Sequence, residues 1–289
     1  MLRILSNLLA KLSLPTLHQL GAALGCLMWF ISNRTAKIQR QNLLQSQLVP
    51  IDQLDAMLKS NAEENGKSLI ETLAIWQKAD VELLGLVKQV IGWQHVEDAL
   101  AAKKGLIFLT PHMGCFEITS IYYGSKHPIT ILFRPPKLKW LQNLMHVGRA
   151  RPGVTLAEAN TQGVRKLMQA LKRGEAIGIL PDQIPAEGEG EWANFFGKPA
   201  YTMTLASKLA VKTGATVIMA FGERLIDGHG FAIHLTRVES IANPSLLNQA
   251  IEKQISQKPE QYLWQYNRHK VRRHAAQKLD TPHPKSSLD

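Results

Sequence analysis

The sequence predicts an α/β fold, in which a mixed, mostly parallel sheet is flanked by helices and follows a helical, membrane-associating N-terminal region. Short apolar runs bounded by turn residues recur after residue 105, with helical patterns between most of them. This alternation is typical of helices packed on a sheet, with a ligand site at the strand ends. Hydrophobic residues make up 45% of the 289 residues and charged residues only 20%, so one substantial core, or at most two small domains, is expected rather than disorder.

The N-terminal region is predicted to associate with a membrane. Residues 12–33 contain no Lys, Arg, Asp or Glu, and residues 20–31 are continuously apolar. A spanning helix needs roughly 20 apolar residues, so this segment either crosses a bilayer or lies on it. If it crosses, the basic residues at 34, 37 and 40 would keep the following chain in the cytoplasm. We therefore predict an anchoring segment over 1–35, a main domain over 36–275 and a disordered polar tail over 276–289.

Individual elements follow from the period of the apolar residues. Residues 36–104 are predicted to be helical and amphipathic. Strands are predicted at 106–110, 129–133, 176–180, 215–221 and 231–235, and helices between them at 138–147, 162–172 and 203–212.

Charge and cysteine content restrict the classes of partner and compartment. The formal net charge of +11 indicates a polyanionic partner, which can be nucleic acid, anionic lipid headgroups or a phosphorylated substrate. Cys26 and Cys115 are the only cysteines and do not form a disulfide framework, which favours a reducing compartment.

His112 and Glu117 are the candidate catalytic residues, because they directly follow the predicted strand at 106–110. On one continuous helix the two side chains would point roughly 140° apart. They can meet only if His112 lies in a turn and Glu117 lies one turn inside the next helix, an arrangement that Pro111 and Gly114 favour. A carboxylate there would fix the imidazole tautomer and leave the other ring nitrogen free to take a proton. Backbone N–H groups at the helix start could stabilise an oxyanion.

The segment Thr110–Glu117 resembles the His-x4-Asp/Glu motif of the lysophospholipid acyltransferase superfamily. Its wider context, over roughly residues 14–270, resembles the bacterial lipid A biosynthesis acyltransferases. After the first motif, the matching blocks in order are Phe133–Pro136, Arg149 and Arg151, Gly163–Arg165, Leu171–Gly174, Leu180–Gln183, Phe195–Gly197, Lys208–Ala210, Thr213–Gly214 and Tyr262-x-Trp264.

The resemblance implies a glycerolipid acyltransferase-like fold and a function. The enzyme would move a fatty acyl chain from an acyl carrier protein thioester to a hydroxyl of a phosphorylated lipid A precursor, without a metal or other cofactor. His112 would be the general base and Glu117 its orienting partner. The residues implied to bind substrate are Arg134, Arg149, Arg151, Asp182 and Gln183. Guanidinium groups suit phosphates, although a surface turn or a helix cap remains an alternative for the last four. The expected place is the cytoplasmic face of a bacterial inner membrane.

Two other functions remain open at this stage. The same motif serves acyl-CoA-dependent lysophospholipid or aminolipid acyltransferases. A basic nucleic-acid-binding protein is the alternative from another class, because a basic stretch follows aromatic residues that could stack on bases. These residues are Tyr262, Trp264, Tyr266, Arg268, Lys270, Arg272, Arg273 and Lys278. The apolar N-terminal segment favours an anionic membrane surface as the partner of this stretch, so no nucleic acid is expected. Cys115 is predicted to be a packed thiol rather than a nucleophile.

Overall fold

A computed structural model describes residues 2–136 and 138–270. Helices α1 to α11 within these residues are Leu2–Ala10, Leu14–Ile31, Asn33–Ser46, Leu54–Ile75, Asp80–Leu86, Trp93–Ala102, Phe116–Gly124, Lys139–Arg149, Thr161–Lys172, Leu205–Thr213 and Pro244–Ile255. The predicted tail at 276–289 lies outside the described residues.

Strands β1 to β9 are Val87–Ile91, Leu106–Leu109, Ile129–Phe133, Val154–Glu158, Ala176–Ile179, Gly190–Phe195, Lys198–Met203, Thr216–Arg224 and Phe231–Val238. Seven of them form one sheet in the order β1-β9-β8-β2-β5-β3-β4, and β6 and β7 form a separate antiparallel hairpin. In the large sheet only β8 and β9 pair antiparallel. The predicted mixed, mostly parallel sheet is confirmed.

The strand predictions succeeded in the sheet interior and failed at its edges. All five predicted strands and all three predicted helices after residue 105 are present. The prediction that 36–104 is entirely helical was wrong for β1, an edge strand with no buried residue. Strand β4, at the opposite edge, and the β6–β7 hairpin were missed. Edge strands and hairpins are less completely covered by helices and neighbouring strands than central strands are. Part of each such strand faces solvent, so its sequence lacks a continuous apolar run.

The sheet has helices on both faces and a core on each. Alternate residues of β2 separate the two cores: Ile107 and Leu109 pack with α9, α10 and α11, while Leu106 and Phe108 pack with α6 and α7. Central strands β2 and β5 are buried along their whole length. The fold is therefore a three-layer sandwich whose strand ends present the site.

The N-terminal helices pack against this sandwich. Helix α2 is long and apolar enough to cross a membrane by length and composition, yet it lies along α4. Side chains at Gly21 or Gly25 of α2, or at Gly66 of α4, would collide with the backbone of the opposite helix. The outer face of α1 and α2 exposes Ile4, Leu5, Leu8, Leu20, Leu27, Met28, Phe30 and Ile31. One face of the anchor segment is thus packed and the other is apolar and uncovered.

Candidate active site

His112 lies in a turn, residues 110–115, that links β2 to α7. Gly114 adopts a positive φ of 56° in this turn, a conformation that glycine reaches without steric cost. The predicted strand–turn–helix arrangement is therefore present, with Glu117 in the first turn of α7. We call residues 110–115 the His112 turn.

The imidazole of His112 is held by Asp182, which follows β5. Its Nδ1 lies 2.8 Å from Oδ1 of Asp182, and its backbone N–H donates to Oδ2 at 3.0 Å. Burial by itself would raise the pKa of Asp182, but the His112 ring and these hydrogen bonds hold that pKa below its usual value. An ionised Asp182 fixes the tautomer with the proton on Nδ1, so Nε2 has a free lone pair. That nitrogen lies 3.2 Å from the side-chain Nε2 of Gln183.

Glu117 binds Arg149 rather than His112. Nε of Arg149 donates to both carboxylate oxygens at 2.9 and 3.0 Å, and Nη2 donates to Oε1 at 2.5 Å. Glu117 is 4% exposed, so this pair is almost dry. The prediction that Glu117 orients the imidazole was wrong in its geometry, because α7 directs the carboxylate to the end of α8. The prediction that Asp182 contacts substrate is also corrected, because its two carboxylate oxygens form hydrogen bonds with the ring and the backbone N–H of His112.

Arg134 and Gln183 line a large open cavity, and His112 lines it too. This wide cavity has a volume of about 850 Å³ and mixed apolar and polar walls. Arg134 lies 3.6 Å from Glu189 with its side chain half exposed. Lys208, on α10, is a second cation on the wall. Lys208 belongs to one of the sequence blocks that match the family, Lys208–Ala210. The sequence alone did not indicate a substrate contact, because Lys208 reaches the cavity only through the packing of α10.

A second, narrow cavity lies on the face of the sheet covered by α7. This apolar slot has an open volume of about 30 Å³, and its walls include Phe108, Ile131, Gly178, Tyr123 and Trp93. In the sheet Gly178 pairs with Phe108 on one side and Ile131 on the other. Because glycine has no side chain, it leaves a notch between two large neighbours. Arg149 and Leu180 line both cavities, so the slot and the wide cavity meet there.

Arg151 is not available to a substrate. Its guanidinium donates to Asp80 and to the backbone carbonyls of Gly148, Lys78 and Ile75. Four donors are thus directed at protein acceptors, and the residue ties α8 to the end of α4. The predicted phosphate contact by Arg151 is corrected to a structural one.

The C-terminal basic stretch is also different from expectation. Arg268 is 2% exposed and donates to Tyr201 and Thr202, while Tyr262 and Trp264 are buried. None of these three can stack on bases or lie at a bilayer surface. Lys270 is exposed, and the remaining basic residues of the stretch, Arg272, Arg273 and Lys278, lie outside the described residues.

Two other features bear on the chemistry. Burial raises the pKa of the Cys115 thiol well above its usual value, so this free cysteine is a packed thiol as predicted. The N–H groups of Met113, Gly114 and Cys115 donate to backbone carbonyls, so none of these three turn residues is available to bind an oxyanion. Within the described ranges no group of three or more His, Cys, Asp or Glu side chains is placed to hold a metal ion.

A dyad of His112 and Asp182 beside a buried Arg149–Glu117 pair, at the junction of two cavities, can support acyl transfer to a hydroxyl. The family model for bacterial lipid A biosynthesis acyltransferases matches residues 2–271. The chain belongs to this family. It is accordingly an O-acyltransferase of lipid A biosynthesis.

Individual members of the family resemble the chain over most of its length. The lipid A biosynthesis lauroyltransferase of Escherichia coli (strain K12) is 28% identical, covering 92% of this chain and 89% of the relative. The lipid A biosynthesis palmitoleoyltransferase of the same organism is 25% identical, covering 91% and 87%. A lipid A biosynthesis acyltransferase of Haemophilus influenzae is 26% identical, covering 89% and 85%.

Proposed function

We propose that this acyltransferase moves a fatty acyl chain from an acyl carrier protein thioester to a hydroxyl of a phosphorylated lipid A precursor, with His112 as general base. The observation that carries the proposal is the orientation of His112. Asp182 holds Nδ1, which leaves the lone pair of Nε2 for a proton, and His112 lines a cavity large enough for a glycolipid headgroup. A thioester is already activated, so a base and an oxyanion donor suffice for the reaction.

Proton and electron movements follow from this geometry. Nε2 of His112 takes the proton of the acceptor hydroxyl while its oxygen forms a bond to the thioester carbonyl carbon. The tetrahedral intermediate then collapses, the C–S bond breaks, and the leaving thiolate takes the proton back from the imidazolium. Gln183, now 3.2 Å from Nε2, must yield its place to the acceptor hydroxyl.

Arg149 is the proposed oxyanion donor. It lies where the two cavities meet, which is where the thioester carbonyl lies if the chain enters the slot and the acceptor fills the wide cavity. A fixed guanidinium with little access to water stabilises developing negative charge strongly. Glu117 stays a proposed catalytic-site residue, because its bidentate contact fixes that guanidinium.

The apolar slot is the proposed acyl-chain site. Its walls are mostly hydrophobic, and it leaves the reacting centre beside Arg149. The open volume is small, so side chains such as Tyr122 and Tyr123 must move apart when a chain enters. The notch at Gly178 is the point at which the sheet leaves room for methylene groups.

Phosphate recognition is assigned to the wall of the wide cavity. Arg134 and Lys208 are both on this wall, and both are exposed to it. Among the residues that the structure describes, Arg134 has one distant carboxylate partner, Glu189 at 3.6 Å, which a phosphate can displace. The relatives named above act in lipid A biosynthesis, which supports a phosphorylated glycolipid acceptor for this chain.

The proposed location is the cytoplasmic face of the inner membrane, with α2 lying on the bilayer rather than crossing it. Helix α2 contacts α4 at the level of the backbone, and α4 carries Glu63, Glu64, Lys67 and Glu71. A helix with so many charges is too costly in hydrocarbon, so a partner packed along it stays with the body. The uncovered apolar face of α1 and α2 then enters the interface.

The test is a donor and acceptor comparison with purified enzyme. We expect a new ester on a phosphorylated lipid A precursor, seen by mass spectrometry, with acyl carrier protein as donor. Acyl-CoA of the same chain length serves as the matched donor, and a lysophospholipid as the matched acceptor. Faster turnover with acyl-CoA or with the lysophospholipid would reject the donor or the acceptor assignment.

A further inference from the structure

Arg224, at the end of β8, contacts the His112 turn without lining either cavity. The residue is 4% exposed. Its Nη2 donates to the carbonyl oxygen of Gly114 at 2.6 Å. Gly114 lies two residues after His112, so a side chain remote from the substrate space holds the backbone that carries the proposed base.

Three further backbone groups of the turn are fixed by neighbouring main chain. The N–H of Gly114 donates to Gln261 at 2.9 Å, and the N–H of Cys115 donates to Gly222 at 2.7 Å. The carbonyl of His112 accepts from Leu263 at 3.1 Å. Two backbone groups are instead held by side chains: the N–H of His112 by Asp182, and the carbonyl of Gly114 by Arg224. Removing the Arg224 side chain therefore frees the peptide at the positive-φ residue while leaving the rest of the turn attached.

Arg224 is itself held rigidly by α4. Nε donates to Glu71 at 2.7 Å and Nη1 donates to Glu64 at 3.1 Å. The other oxygen of Glu71 lies 2.9 Å from Nε2 of His18, on α2. Burial by itself would raise the pKa of Glu71, but Arg224 and His18 hold it below its usual value. A buried, ionised network thus runs from the N-terminal helices to the His112 turn.

We infer that Arg224 is a positioning residue for acyl transfer, fixing the turn between His112 and Glu117 and so the distance between the base and Arg149. The inference rests on the proposed function. A positioning error of about 1 Å can cost about 100-fold in rate, whereas substrate affinity depends on cavity walls that Arg224 does not form. The expected signature is a loss in kcat with little change in KM.

The first variant is Arg224→Lys, which keeps the charge and loses the fork that reaches Gly114. We expect kcat to fall about 10- to 100-fold, with KM for donor and acceptor within about threefold. Hydrogen–deuterium exchange should accelerate in residues 112–117 and stay unchanged in α9. Leu247→Ala, a buried change on α11, a helix that supplies no residue to the turn or to either cavity, controls for lost stability and should keep kcat.

A second variant tests the inference if Arg224→Lys does not fold. Arg224→Met combined with Glu71→Met removes both of these charges together, and Glu64, the other partner of Arg224, keeps Lys67 at 2.6 Å, so no buried ion is left unpaired. It should show the same loss in kcat. Wild-type kcat in either variant, or exchange that accelerates equally throughout the protein, would overturn the inference. Absence of acyl transfer by the wild type would reject the proposed function instead, and local exchange would still report whether Arg224 fixes the turn.

Discussion

The wide cavity and the apolar slot differ in volume and in the polarity of their walls, although they share two lining residues, Arg149 and Leu180. The wide cavity has room for a bulky polar molecule and carries His112, Arg134 and Lys208 on its walls. The slot is closed to about 30 Å³ and is lined mainly by aromatic and aliphatic side chains. Arg149 joins them. An enzyme that joins an acyl chain to a glycolipid headgroup needs two such cavities, because the chain is narrow and apolar and the headgroup is bulky and polar.

His112→Ala should have the largest effect, since it removes the base from the wide cavity. Losing a general base costs about 10²–10⁴ in rate, so kcat for acyl transfer should fall by that factor. Vesicle flotation should change little, whereas the melting temperature should fall, because the buried carboxylate of Asp182 loses its partner. His146→Ala, an exposed histidine on α8, is the matched control. Turnover by His112→Ala near that of the wild type would contradict the mechanism.

Arg134→Ala should come next, because it removes a phosphate contact from the same cavity. Charge-assisted hydrogen bonds contribute about 1.5–3 kcal/mol, so kcat/KM for a phosphorylated acceptor should fall about 10- to 100-fold. The dephosphorylated acceptor should show no such loss, and membrane affinity should stay the same. Arg237→Ala, an exposed arginine on β9, is the control. Equal losses with both acceptors would place the phosphate elsewhere.

Gly178→Val should alter the slot alone. A Cβ at this position meets only ordinary contacts with Ile131 and Ile129, so the sheet tolerates it, and the added methyl groups fill the notch. Each excluded methylene is worth about 0.8 kcal/mol, so the preference should shift about fourfold per methylene towards shorter donors. Competition between acyl donors of graded length measures this shift. An unchanged chain-length profile would mean that the chain lies in the wide cavity.

Acid should lower the free energy of unfolding, because two buried carboxylates have lowered pKa values in the folded state. The folded-state pKa values of Asp182 and Glu71 lie below their usual values, so both contribute stability above the unfolded pKa of about 4. That stability is lost as pH falls through the folded values. Urea unfolding midpoints should be level from pH 7 to about 5 and fall below about 4. Asp182→Asn should be less stable at neutral pH and lose less in acid.

Cys115→Ser should have the smallest effect, with kcat within about threefold of wild type. The proposed route forms no acyl-cysteine, and the thiol is buried with a raised pKa. Steady-state kinetics measure the result. Recovery of an acyl group covalently attached to Cys115, detected by mass spectrometry of trapped enzyme, would instead require a two-step mechanism.

Sequence reasoning found the elements of the site but not all of their contacts. Strands β2 and β5 were predictable because both of their faces are buried, so each reads as an apolar run. The residues that follow them, His112 and Asp182, were both singled out. Their pairing was missed, because it depends on β2 and β5 being neighbours, which no local spacing encodes. The short separation of His112 and Glu117 suggested a contact that the direction of α7 prevents.

The backbone contact between α2 and α4 has a practical consequence for the N-terminal segment. The segment cannot be replaced by an arbitrary apolar helix, because α2 and α4 approach so closely that only glycine fits at Gly21 and Gly25 of α2 and at Gly66 of α4. A chain shortened to begin at residue 36 would uncover α4 and leave Glu71 without His18. Attempts to make this enzyme soluble should therefore keep both N-terminal helices and change only their outward side chains, such as Leu27 and Phe30.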